Sequence, residues 1–448
     1  MVYSSHYQYR MPEQTPVSPD FAVRINGEEA LVQHLPVGSV VRLETDSSVD
    51  LEIHPTFAFE SVVVRPLNRG IVASVTEGVV RLAVAPGTPV EPAYLSIEFD
   101  QQLRRPLFVL IDEPEVSRPN ADDPNVVYLE SGKLHEFKDL TLRDGQTLYL
   151  EGGAVLRGNI RAEEASDIAI RGRGVIDGSA HPHESAEGTR LIHLIACDDV
   201  VIEGVTILDG RNWQIMPCGC DRVSIKNVKI VSDYRSDDGI DLVGCRNVVV
   251  ERCFIRTRDD CVAIKGFDKY HRRGGESIAN IMVKDSVFWN AEWGNALEIG
   301  YETSVDEIKG VVFRNCDVIR CEAERFGSGG VLTIHNGDRA RVSDVLYDEI
   351  RVEDAQEKLI DFKVCFDRYS RDETRGQIQG ITVRNVHVVD GSFPVSILQG
   401  FGAENLVQAV TFENVRIHGS LMRDEREMRM IREKARDVRF VTEESPRH

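Results

Sequence analysis

From about residue 165 onward, hydrophobic and polar positions alternate in a pattern that returns many times along the chain. Each copy reads apolar-x-apolar-x-x-apolar-x-apolar. Val200-Val-Ile-Glu-Gly-Val-Thr-Ile is one, and Val223-Ser-Ile-Lys-Asn-Val-Lys-Ile is the next. Further copies begin at Val248, Ile281, Val311, Val345, Ile381 and Val410. Alternation on either side of the central slip puts one set of side chains on a common inner face, as a β-strand does. The slip itself, often at Asn or Gly, is what a corner between two strands requires. The spacing is too short for a strand–helix–strand unit, and no 3.6-residue period lies between copies. Such self-similarity predicts an all-β chain dominated by a parallel β-helix over residues 127–420. Copies are closest together from Val200 to Val248 and wider afterwards. The longer coils must bulge as loops, and such loops would wall a groove.

The flanking regions read differently. Within residues 20–113, short alternating stretches such as Ser39-Val-Val-Arg-Leu-Glu-Thr and Val79-Val-Arg-Leu-Ala-Val are split by Pro and Gly turns. They predict a small antiparallel β-sandwich after an N-terminal segment, residues 1–19. Residues 114–126 are rich in Pro and Asp and form a joint. Residues 421–448, dense in Arg and Glu, predict a charged helix or tail capping the solenoid.

Composition narrows the partners. The chain has 448 residues, 42% of them hydrophobic and 28% charged, which is ordinary for a globular protein. Its net charge of −20 argues against nucleic acid or an anionic membrane surface. No stretch approaches the ~18 apolar residues of a membrane span, and the first residues hold no apolar run. A cytoplasmic location is the corresponding expectation, and oligomeric state is left open. Of nine cysteines, Cys197, Cys220 and Cys245 fall at one place in successive copies, and Cys253 and Cys316 share another. Stacked interior thiols in a reducing compartment are expected. There is no Cys-x-x-Cys pair, so neither a metal nor another cofactor is expected.

Two acidic clusters carry the candidate chemistry. Asp237 and Asp238 lie in Ser-Asp-Asp-Gly-Ile-Asp, and Asp259 and Asp260 in Arg-Asp-Asp-Cys-Val-Ala-Ile-Lys-Gly. If one coil separates them, Asp238 and Asp259 occupy neighbouring rungs about 4.8 Å apart. Crowded carboxylates drive one another's proton affinities apart, so one site can keep both an acid and a base. Glycoside hydrolysis needs that pair. A lone Asp-Asp pair more often caps a turn, but two pairs in successive coils point to a site.

These motifs resemble glycoside hydrolase family 28, the polygalacturonases and their relatives. Ser236-Asp-Asp-Gly matches the family's Asn-Thr-Asp-Gly, Asp259-Asp-Cys matches its Asp-Asp-Cys, and Gly172-Arg-Gly-Val-Ile-Asp-Gly resembles an early coil. The N-terminal sandwich is similar to the one preceding the helix in bacterial relatives and in the dextranase-like family 49. The resemblance implies a right-handed parallel β-helix and inverting hydrolysis of an oligosaccharide or polysaccharide. Asp259 would be the general acid, while Asp238 and Asp260 hold and deprotonate the attacking water. The acid-to-base separation would then be ~6.5–9.5 Å. Two departures stand out. Asn295, in Gly294-Asn-Ala, stands where the family has His. The family's Arg-Ile-Lys, which binds the galacturonate carboxylate, has no clean counterpart near Val331-Leu-Thr-Ile-His-Asn. Without that cationic anchor a uronate loses its charge-assisted hold, so a neutral sugar or an unusual pectic or host-glycan linkage is expected.

Further substrate-binding candidates are Asp237, Lys265, Glu298, Trp293 and His335, with Glu302 and Asn336 beside them. His271, Arg272 and Arg273 form a basic loop that either covers the groove or is solvated. Among the tryptophans, Trp293 is the expected sugar platform and Trp213 the expected core residue, with Trp289 a further stacking candidate. Two other readings compete. One is a Ca²⁺-dependent polysaccharide lyase using the carboxylates as metal ligands. The other is a non-catalytic glycan-binding β-helix whose aspartates only cap turns.

Overall fold

In the computed structural model, the residues described are 7–88, 90–180, 190–267, 277–322 and 329–441. The loop holding His271, Arg272 and Arg273 lies outside them. Among the described residues, a thirty-stranded sheet winds into one right-handed parallel β-helix, successive coils pairing in parallel, with the short Arg416–Ile417 and Ser420–Leu421 strands as an antiparallel exception. Val223 pairs with Val248, Val248 with Ile281, and Ile281 with Val311. The inner positions of the repeat stack into a continuous apolar column that runs the length of the solenoid.

The slip in each repeat is the corner. Its fifth residue has left-handed backbone every time: Gly204, Asn227, Arg252, Asp285, Asn315, Glu349, Asn385 and Asn414. Asn and Asp tolerate this conformation at least cost after Gly. Their side chains also bond along the stack. Asn315 Nδ2 donates to Asp285 Oδ1 at 2.7 Å, and Asn414 Nδ2 to Asn385 Oδ1 at 2.9 Å. Eight of the nine cysteines are buried, none is bridged, and the Cys197 backbone N–H donates to Cys220 Sγ at 3.4 Å. They are interior packing groups.

Of the two forms expected for the C-terminal segment, a helix or a cap on the solenoid, the described residues form the cap and no helix. Met430–Glu433 and Ala435–Val441 are strands that add a last parallel coil onto Val395–Gln399 and Val407–Glu413. Val438 and Phe440 continue the inner columns of Val410 and Phe412, with the two Phe rings 4.9 Å apart. Burial of an alternating apolar pair outweighs the helix preference of the Arg and Glu between them.

The N-terminal unit consists of two facing sheets. One contains Gly38–Glu44, Leu107–Asp112, Ala93–Phe99 and Val62–Arg65, with Tyr7–Gln8 and Gln33–Leu35 at its margins. The other contains Phe21–Ile25, Val49–Pro55 and Val79–Val84. Pairing is antiparallel except between Leu107–Asp112 and Gly38–Glu44, which run parallel. The first sheet lies against the outside of the solenoid, where Tyr94, Phe108 and Leu110 meet Val231, Phe254 and Trp289. Trp289 is fully buried there and cannot meet a sugar. Buried ion pairs cross the seam: Lys229 to Asp112 at 2.9 Å and Arg65 to Glu353 at 2.7 Å.

Candidate active site

Three successive coils enter strands Ile240–Val243, Val262–Gly266 and Leu297–Thr303, and the residues just before those strands build the site. Because Ile240 pairs with Val262 and Val262 with Leu297, the register aligns Asp238 with Asp260 and Asp260 with Asn295. Asp238 and Asp259 are therefore not equivalent positions on neighbouring rungs, as their spacing implied. Asp259 projects instead from the bend beside Asp260. That bend is pinned from below by Asp237, which is fully buried. Its Oδ1 accepts the backbone N–H groups of Arg258 at 2.8 Å and Asp259 at 2.9 Å, and its Oδ2 that of Tyr234 at 2.9 Å.

One oxygen from each of Asp238, Asp259 and Asp260 falls within 4.8 Å of the others. They form the floor of a cleft of about 550 Å³, with Lys265, Trp213, Trp293, Asn295, Tyr301 and Glu302 around them. The nearest oxygens are closer than the ~6.5–9.5 Å expected of an inverting pair. That spacing is nearer the ~5–5.5 Å of a retaining pair.

The three carboxyls have different surroundings. Asp259 is half-buried and, among the described residues, takes backbone donors, from Ser236 at 3.2 Å and Asp260 at 3.1 Å. Burial, then the charges of Asp238 and Asp260, push its proton affinity well above the usual carboxylate range. Burial and Asp238 do the same to Asp260, against the pull of Lys265. Asp260 Oδ1 accepts from the Asn295 backbone at 2.8 Å and from its side-chain amide at 3.1 Å. Asp238 Oδ2 accepts from the Lys265 ammonium at 2.8 Å, and the same ammonium lies 2.9 Å from Asp241 Oδ1. Burial lowers the proton affinity of Lys265, but Asp238 and Asp241 outweigh it and raise that affinity well above the usual lysine range.

The family described as Glycosyl hydrolases family 28 matches residues 149–435. The chain belongs to glycosyl hydrolases family 28. A polygalacturonase from Chamaecyparis obtusa is 23% identical over 243 residues, 50% of this chain and 44% of that protein. A probable polygalacturonase from Vitis vinifera is 36% identical over 97 residues, 21% of this chain and 20% of its own. The chain thus spans less than half the length of these curated relatives. Dex49A from Penicillium minioluteum has a similar fold, with a TM-score of 0.59 at 13% identity over 97% of this chain and 96% of that one. So does a polygalacturonase from Erwinia carotovora, with a TM-score of 0.53 at 19% identity over 72% and 91% of the two chains.

Against this family 28 background, the candidates separate. Asp238, Asp259, Asp260, Lys265, Trp293, Asn295 and Glu302 line the cleft. Asp237, Glu298, His335 and Asn336 do not, since each is fully buried below it. Asn336 is a corner residue, donating to the Ala340 carbonyl at 2.7 Å. Trp213 departs from its expected core position. It lines the cleft, and its ring faces Lys265 Nζ at 3.9 Å. Arg235, Tyr301, Asp367, Arg368 and Tyr369 also line the cleft. No motif marks them: Tyr301 lies within a stretch of ordinary strand, and Arg235, Asp367, Arg368 and Tyr369 lie in turns and loops outside the repeat.

Proposed function

We propose that this protein is a glycoside hydrolase in which Asp259 protonates the leaving oxygen while Asp238 and Asp260 hold and deprotonate the water. The observation that carries this reading is the convergence of three aspartate oxygens within 4.8 Å on the floor of one cleft. The roles follow from the donors around each group. Among the described residues no cation contacts Asp259, whose proton affinity is raised by burial and by Asp238, which suits an acid. Asp260 receives two donors from Asn295, and Asp238 receives the Lys265 ammonium. These side-chain donors orient Asp238 and Asp260 and suit them to hold a water between them. Because the groups are so close, their titration belongs to the cluster rather than to single residues. Inversion at the anomeric carbon follows from this assignment, since the water and not a carboxylate attacks.

The sugar over the floor is, on this reading, neutral. His335 and Thr333, in the strand where a uronate anchor would be expected, are fully buried and out of reach. Lys265 is tied to Asp238 and Asp241. Glu302 and Asp367 add carboxylates to the wall. Arg235 and Arg368 sit at the exposed mouth, against the rings of Trp293 and Tyr369, where solvent weakens an ion pair to ~1 kcal/mol or less.

The test is a hydrolysis screen of the intact protein and Asp259→Asn on galacturonan, rhamnogalacturonan, α-glucan and fructan oligosaccharides, with product anomers read by NMR. Hydrolysis by the intact protein alone, giving the inverted anomer, is expected. A retained anomer would make one of the aspartates a nucleophile, and an unsaturated product would make the protein a lyase.

A further inference from the structure

Beneath the cleft lies a second set of ionisable groups that the hydrolytic scheme does not use. Register places Glu298, Thr333 and Asp361 in one column and Gly300, His335 and Lys363 in the next. Glu298, His335 and Asp361 are all fully buried. The imidazole lies between the two carboxylates: Nδ1 is hydrogen-bonded to Glu298 Oε1 at 3.1 Å, and Nε2 lies 3.3 Å from Asp361 Oδ2 as an ion-pair contact without hydrogen-bond geometry. Two carboxylates this close to a buried imidazole favour its protonated form. Gly300 makes the approach possible. At φ +128°, a Cβ there would lie 2.1 Å from the His335 carbonyl oxygen and 2.9 Å from Glu298 Oε1.

The next residue is the link to the cleft. The Tyr301 ring is stacked on the His335 imidazole, with centroids 4.3 Å apart and planes 16° from parallel. Tyr301 lines the cleft and leans on Tyr369, 5.8 Å away. A cation against one face of an aromatic ring holds it in place, and the other face of such a ring suits a sugar.

We propose that His335 is a positioning residue: charged and held between Glu298 and Asp361, it fixes the Tyr301 ring as the floor of a sugar subsite next to the three aspartates. This role rests on the glycoside hydrolase reading for its substrate, but not for its physical basis. The groups facing the imidazole decide its charge. Strand Leu297–Thr303 brings Glu298 and Tyr301, and Lys358–Val364 brings Asp361 with Lys358 and Lys363, each 2.9 Å from it. Arg341–Val352 brings Tyr347, whose hydroxyl donates to the Thr333 carbonyl at 3.4 Å. Cys365 lies near both carboxylates. Burial alone would make His335 neutral, but Glu298 and Asp361 overcome it and carry its pKa up to about 9.

The test uses the full chain with ¹³C-labelled histidine and tyrosine. One imidazole signal, absent from His335→Gln, should stay protonated through pH 8, and the Tyr301 ring signal should move in that variant. A His335 imidazole that is neutral at pH 7, or a Tyr301 signal indifferent to His335→Gln, overturns the proposal. Should His335→Gln fail to fold, Asp361→Asn replaces it, and His335 should then lose its proton at lower pH. Kinetics on the oligosaccharide cleaved in the screen supply the second arm. His335→Gln and Tyr301→Leu should each raise KM about tenfold with a much smaller effect on kcat, and the double variant should be no worse than either single one. Additive losses would overturn the link to Tyr301. The NMR arm needs no turnover, so a protein that cleaves nothing in the screen fails the hydrolase reading while His335 is still decided.

Discussion

Asn295 donates twice to a single oxygen, Oδ1 of Asp260, from its backbone at 2.8 Å and its side chain at 3.1 Å. Its own Oδ1 accepts the Gly330 backbone N–H at 3.1 Å. The residue that breaks the family motif is thus locked on both sides, and it orients the carboxylate without changing charge near neutral pH. Asn295→Ala removes one donor to Asp260 and strands the Gly330 N–H. The expected cost is about 1–3 kcal/mol of stability and a fall in kcat of about tenfold or more with little change in KM. Steady-state kinetics with a thermal melt checks it, and unchanged kcat would remove Asn295 from the site.

Each of the three aspartates should be indispensable. Asp238→Asn, Asp259→Asn and Asp260→Asn keep shape but lose proton transfer, worth about 10²–10⁴ in rate. If any one of them retains near-normal kcat on the cleaved oligosaccharide, its assigned role is wrong.

Lys265 is the charge on which the cluster balances. It sits within 3 Å of Asp238 and Asp241, and Asp241 is fully buried. Replacing it with Met removes the cation that both carboxylates contact, which for a buried pair costs about 3–5 kcal/mol. The remaining carboxyls should take up protons more readily, shifting both limbs of the pH–rate profile upward. Urea unfolding and a pH profile of kcat/KM measure the two effects, and a variant as stable as the parent would contradict the ion-pair account.

Stability should fall as pH rises through neutrality. Asp241, Asp259 and Asp260 bind protons more tightly when folded, above all because they are buried. His335 moves from an unfolded value near 6.5 to about 9. Groups with raised folded values stabilise fully below their unfolded values, and that stability drains away as pH climbs to the folded ones. His335 by itself amounts to on the order of 3 kcal/mol between pH 6.5 and 9. Asp361, held low by His335, Lys358 and Lys363 against its burial, loses its contribution only in strong acid. Melting temperatures from pH 5 to 9 should therefore decline above pH 6.5, and a rise would refute the charged His335.

Removing Glu302's charge should make acidic sugars better tolerated. Glu302 lies on the cleft wall beside Tyr301. Relative to a neutral oligosaccharide, Glu302→Gln should improve kcat/KM for a galacturonate oligosaccharide by a few-fold, about 1 kcal/mol of like-charge repulsion in a partly solvated site. No change in that ratio would place the discriminating charge elsewhere.

Much of the architecture was legible because a solenoid writes its geometry into a repeat. The fifth position of each copy marked the corner, and all eight are left-handed in the structure. The two Asp-Asp pairs were legible for the same reason, as departures from apolar alternation one coil apart. Register was harder to read. The turn lengths between strands set whether Asp259 or Asp260 aligns with Asp238, and the pairing of Ile240 with Val262 settles it for Asp260. Trp213 looked like a core residue because nothing local tells an aromatic at a groove wall from one inside.

By itself the sequence determined the coil: period-two burial needs only neighbours along the strand, and left-handed corners need only residues that tolerate them. It also determined which residue types could do acid–base chemistry. Tertiary structure alone decided which carboxylates meet and what lies under them. Glu298 and His335 are 37 positions apart, and the charge on the imidazole depends on that contact, on Asp361 and on water being shut out. Proton affinity in a protein is a property of surroundings, and stacking distant coils on one another is what creates those surroundings.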